Sequence, residues 1–104
     1  MEKSLNPEDL FQNSKAIEED LLKVLANSRA KTVTATAGGG MVTATINLEM
    51  QIVSLKIEKE VINPDDAEML QDLVVSAVNE GLNQAQKLFT RELSEVTLKN
   101  FPRP

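Results

Sequence analysis

A chain of 104 residues carrying 11 Lys and Arg against 16 Asp and Glu has room for one domain. Its net charge of −5 argues, as an average over the chain, against a strongly basic nucleic-acid binder. It has no Cys and no His, which excludes disulfides, thiolate metal sites and cysteine nucleophiles, and removes the commonest general base and zinc ligand.

The only aromatic residues are three Phe, so the core must be aliphatic. No apolar run reaches the roughly 18–20 residues of a membrane span, and Met1-Glu2-Lys3-Ser4 lacks the apolar core of a signal peptide. These features predict a soluble, cytoplasmic protein with one domain over residues 1–104, its ends at 1–5 and 100–104 mobile.

Asn6-Pro7-Glu8-Asp9 predicts a helix start: Asn6 caps free amides, Pro7 fits the first helical position, and two acids complement the dipole. Leu10, Ser14, Ile17, Leu21 and Val24 then follow a 4-3-4-3 spacing, a narrow seam widened by Phe11, Leu22 and Leu25. The helix runs to about Asn27, and its seam suits packing against another helix, a second copy's included. From Thr32 to Ala37 hydroxyl and aliphatic residues alternate, the period of a half-buried strand. Gly38-Gly39-Gly40 permits a tight reversal, and Met41 to Ile46 alternates again with Val42, Ala44 and Ile46 on one face. After a turn near Asn47-Leu48-Glu49, Val53, Leu55 and Ile57 mark a third strand with Ser54 and Lys56 outward; the short connections make an antiparallel meander.

Asn63-Pro64-Asp65-Asp66 repeats the helix-start chemistry. The apolar residues from Leu70 through Phe89 keep helical spacing, and the pattern extends to about Val96. This is either one very long helix or two meeting near Gly81, because a glycine inside a helix marks a bend or a close contact.

A catalytic centre is hard to build from these residues. The carboxylates fall mostly on exposed helix faces and helix starts, Asp65 and Asp66 among them, and no Gly-x-Ser-x-Gly or Ser-x-x-Lys motif occurs. The glycine triplet precedes a strand, whereas phosphate and dinucleotide loops lead into a helix, so it reads as a hairpin turn. No cofactor, metal or small-molecule substrate is expected.

Charge is unevenly placed. Residues 1–20 hold six acids and two bases, while residues 21–31 hold Lys23, Arg29 and Lys31 and no acid. Residues 64–80 hold five acids and no base, while Lys87, Arg91, Lys99 and Arg103 follow with only Glu92 and Glu95 against them. Macrodipole complementarity explains this polarity in any helix. The functional reading is that the two positive ends come together and touch phosphates. With no Trp or Tyr for stacking on unpaired bases, duplex is the natural form.

The order Gly38-Gly39-Gly40-Met41-Val42, a strand ending at Asn47, then Val53-x-Leu55-x-Ile57, resembles the sheet signature of the YbaB/EbfC family of bacterial nucleoid-associated proteins. Asp65 to Glu80, with its Met69-Leu70-Gln71-Asp72-Leu73 core and later Ala77-Val78-Asn79-Glu80, is similar to that family's capped second helix. The resemblance covers about residues 32–90. It implies a small homodimer, shaped like tweezers, that contacts duplex DNA with little sequence preference. It also implies a link to nucleoid organisation, gene regulation or recombinational repair. Where the family has glycines after the strand-ending Asn, this chain has Leu48 and Met50, so either the turn differs or two apolar groups are available to an interface.

The expectation is an α+β fold: an N-terminal helix, a three-stranded antiparallel meander and a long C-terminal helix, paired as a homodimer because a lone sheet leaves two edges and one face to cover. Charge position alone nominates Lys23, Arg29, Lys31, Lys87, Arg91 and Lys99 as phosphate contacts. Met41, Val42, Ile46, Leu70, Leu73, Val74 and Ala77 are the candidate dimer interface. The expected partners are a second copy and duplex DNA, with no membrane. The alternative is a protein-interaction module, a diverged dimer offering its helices to a protein partner.

Overall fold

A computed structural model of the chain describes residues 7–100, with side chains from Gln12 onward. Helix α1 spans Pro7–Asn27, followed by strands β1 (Thr32–Ala37), β2 (Val42–Asn47) and β3 (Ile52–Ile57), two short 3-10 turns, and helix α2 (Ala67–Asn100). The expected caps at Asn6 and the end segments 1–5 and 101–104 lie outside the described residues. Asn100, expected in a mobile end, is instead the last residue of α2, and its side chain is bonded to α1.

The strands form an antiparallel sheet in the order β1-β2-β3. Ala37 pairs with Val42, and between them Gly38, Gly39 and Gly40 all have positive φ (64°, 68° and 95°), a path that side-chain-bearing residues resist. The second turn is tied by Asn47, almost fully buried, whose Oδ1 accepts from the amides of Glu49 and Gln51, both at 3.0 Å. Of the two apolar residues of this turn, Leu48 is buried and so not available to an interface, and its amide donates to the Ser28 carbonyl at 2.8 Å. Met50 is held at φ 63° in this turn.

Helix α2 starts as the sequence predicts. Asn63 accepts from the Asp65 amide across a 3-10 turn at Pro64–Asp66, and Asp66 Oδ1 then accepts from the Met69 amide at 3.2 Å. The helix is continuous through Gly81, so this glycine marks a contact and not a bend. A Cβ there would meet Ile46 Cδ1 at 2.5 Å, because α2 lies directly on β1 and β2.

The core lies between α2 and those two strands. Val42, Ala44, Ile46, Ala77 and Ala85 are all fully buried, with Leu48 close behind. Val42, Ile46 and Ala77 therefore belong to the interior of one chain, where a second copy cannot reach them. Leu70, Leu73 and Val74 are half-buried against the same core, and Met41 is half-buried at the hairpin. β3 departs from expectation. A bulge falls between the Thr45–Ser54 and Ile46–Ile52 pairs, leaving Val53 without a partner, and α2 does not cover this strand. Ile52, Val53 and Leu55 stay 52%, 56% and 40% exposed.

Part of the α1 seam is spent within the chain. Helix α1 packs on the far end of α2, with Val24 beside Val96 and Asp20 opposite Asn100. Residues 7–19 extend beyond this junction, and the molecule measures 70 × 25 × 15 Å.

Candidate nucleic-acid interface

Three of the six nominated bases converge. Lys23, Lys31 and Lys99 line an open cleft of about 270 Å³ between α1 and α2, together with Asp20, Glu92 and Glu95. Lys23 is carried by α1, Lys31 by the turn beyond it, and Lys99 by the last turn of α2. The α1 helix has no base in its own last turn, and Arg29 and Lys31 follow just beyond its end.

Two of the three convergent bases are ion-paired. Lys31 Nζ lies 2.6 Å from Glu92 Oε2, and Lys99 Nζ lies 3.6 Å from Asp20 Oδ2. Asp20 also accepts from Asn100 Nδ2 at 3.0 Å. The Asn100 hydrogen bond holds the Asp20 carboxyl below its ordinary pKa; burial, next in weight, opposes it, and the positive charges of Lys99 and Lys23 add to the lowering. Lys23 makes no ion pair among the described residues. The cleft holds three positive and three negative side chains and is locally neutral.

The other three nominated bases lie apart. Arg29 pairs with Glu49 of the second turn at 3.1 Å, with its side chain 76% exposed. Arg91 faces Glu95 one helical turn on at 3.9 Å, an exposed pairing of small energetic weight. Lys87 sits on α2 beside Asn83, Gln86 and Thr90.

A second concavity, of about 830 Å³, opens where the second turn meets α2. It is mainly apolar, with Leu25, Leu48, Met50, Leu82, Phe89 and Leu93 on its walls. Among the described residues no group of carboxylates is arranged to hold a metal ion, and no helix is long and apolar enough to cross a membrane.

A model of the YbaB/EbfC DNA-binding family matches residues 2–101. The chain belongs to the YbaB/EbfC DNA-binding family. Among its curated relatives is a nucleoid-associated protein of Syntrophobacter fumaroxidans, 38% identical over 92% of this chain and 84% of its own. Another, a nucleoid-associated protein of Thermodesulfovibrio yellowstonii, is 43% identical over 90% of this chain and 83% of its own. The fold is shared with an uncharacterized Helicobacter pylori protein of known crystal structure, at a TM-score of 0.74 and 21% identity, covering 91% of this chain and 99% of that one. This YbaB/EbfC chain thus combines a family of nucleoid-associated DNA-binding proteins with a cleft where basic side chains collect.

Asp20, Glu92 and Glu95 went unassigned in the charge reading, although a signal for them existed. Glu92, Val96 and Lys99 follow a 4-3 spacing that puts acid and base on one α2 face, and the 3-4 spacing of Asp20, Lys23 and Asn27 does so on α1.

Proposed function

We propose that this protein is a nucleoid-associated homodimer that binds duplex DNA through phosphate contacts with little preference for sequence. The observation that carries this reading is the meeting of Lys23, Lys31 and Lys99 at one cleft, in a chain whose family binds DNA. Lysine ammonium groups on flexible stems suit phosphate oxygens, which carry charge and no base identity. Arg29, Lys87 and Arg91 extend the contact along the duplex.

The pairing of two copies is supported by the uncovered side of β3. Leu55 and Ile52 pair with Ala44 and Ile46, so they face the same side as α2, yet they stay 40% and 52% exposed. A helix from a second copy laid over β3 would complete the layer, and two-fold symmetry would repeat that contact. Pairing brings a second set of cleft lysines onto the same particle.

A mobility-shift titration of unrelated duplexes tests the reading. Binding is expected at low salt, with similar affinity for each sequence and an affinity that falls steeply as salt rises. Exchanging Lys23, Lys31 and Lys99 together for Gln should weaken all duplexes alike. No binding at tens of micromolar protein, or a selective loss for one sequence, overturns it.

A protein partner is the second reading. It is favoured by the apolar groove, over which Met50 is kept in a left-handed backbone conformation that glycine would adopt at lower cost.

A further inference from the structure

We propose that Asp20 and Glu92 mask the cleft: their carboxylates occupy the Lys99 and Lys31 ammonium groups that a nucleic-acid backbone must recruit, so the free protein inhibits its own DNA binding. This rests on the reading that the cleft lysines contact phosphates, and it concerns how that contact is controlled.

The acids and the bases are not held alike. Glu92 and Asp20 are sheltered, with side chains only 13% and 14% exposed, whereas Lys31 and Lys99 are 49% and 71% exposed. Asp20 is further fixed by Asn100, whose Nδ2 also donates to the Val96 carbonyl at 2.8 Å, anchoring the pair to the end of α2. The carboxylates thus belong to the packed junction between two helices, while the lysines reach inward from solvent on four-carbon stems and can swing back out. Three positive charges opposed by three negative ones leave little field to draw a polyanion toward a chain of net charge −5.

Binding a duplex is then an exchange. When Lys31 or Lys99 turns to a phosphate it leaves a sheltered carboxylate without its counter-charge, and that loss is subtracted from the affinity. Because Lys31–Glu92 and Lys99–Asp20 each join the α1 side of the cleft to α2, the same exchange releases two ties between the helices.

The test compares three forms of the full chain by fluorescence anisotropy with a labelled duplex over a salt series. One carries Asp20→Asn with Glu92→Gln, which removes the partners of Lys99 and Lys31. A control carries Glu68→Gln with Asp72→Asn, the same charge change at exposed sites near the start of α2, away from the cleft. The third is the unaltered protein. Masking predicts that the cleft variant binds about tenfold or more tighter, with a salt slope steeper by about one per lysine set free. The control should gain no more than about threefold, from net charge alone.

Equal gains in the two variants overturn the masking. If the Lys23, Lys31 and Lys99 variant meanwhile loses binding, the proposed function survives that result. If that lysine variant binds as the unaltered protein does, the contact set is wrong and the masking falls with it. Binding by the cleft variant where the unaltered chain shows none supports the masking most strongly, whereas no binding by any form defeats both readings. Should the double variant fold poorly, Glu92→Gln alone, which frees Lys31, is compared with Glu68→Gln alone.

Discussion

Gly81 is fixed by what lies above it. A methyl group there would sit 2.5 Å from Ile46 Cδ1 and 3.6 Å from Ala35 Cβ, both in side chains that are buried. Alanine gains about 1 kcal/mol of helix propensity, but overpacking a core costs about 1–3 kcal/mol. Gly81→Ala is therefore expected to lower stability by about 1 kcal/mol in urea unfolding. Ile46→Val removes the colliding atom, so adding Gly81→Ala to Ile46→Val should cost almost nothing further; simple additivity of the two losses would show the contact to be unimportant. Asn47 carries a comparable load at the second turn, where one side chain satisfies two amides and donates to Gln51 Oε1 at 2.9 Å. Asn47→Ala should cost about 2 kcal/mol by the same measurement, since the amides lose their acceptor in a largely buried setting.

Among the elements, the junction between α1 and α2 depends on acidity in a defined direction. Asp20 takes up a proton less readily when folded than when unfolded, chiefly because Asn100 donates to the carboxylate. The stability it contributes is whole above the ordinary value of 3.8 and is lost as pH falls through the lowered folded value. Circular dichroism over about pH 2 to 5 should show the helical signal becoming easier to melt only toward the acid end. Asp20→Asn should remove that part of the dependence; an unchanged acid limb would rule out this residue as its source.

The same elements show what a sequence discloses. The α1 boundaries Pro7–Asn27, the β1 strand and the Asn63 cap follow from local period and capping chemistry, and each stands where expected. The continuity of α2 through Gly81 could not be read locally, because a bend and a close contact call for the same residue. Which apolar strand residues are covered was equally hidden: Val42 and Leu55 share one alternating pattern, yet α2 reaches only the first. The cleft is a tertiary product, since Lys31 and Glu92 are 61 positions apart. Charge runs nominated the lysines, but no local pattern paired them with their acids.

At the scale of the whole molecule, the proposed pairing of two copies rests on the exposed β3 residues. Leu55→Lys places charge on a side chain that one chain already leaves 40% exposed. It should change the stability of a single chain by only about 0.5 kcal/mol while driving the particle to an 11.4 kDa species. Light scattering at micromolar concentration is the check. A variant that stays paired would move the interface elsewhere, and an unaltered protein found only at the single-chain mass would remove the dimer altogether.

The projecting α1 bears on how such a particle travels through liquid. The Cα radius of gyration is 20.4 Å, whereas a compact chain of this length has about 13 Å. A rod-like outline meets more friction than a sphere of equal mass. Even a solitary chain should therefore leave a sizing column early, among heavier globular standards. Elution volume alone would overcount the copies, while scattered intensity, which weighs the particle without regard to its outline, would not.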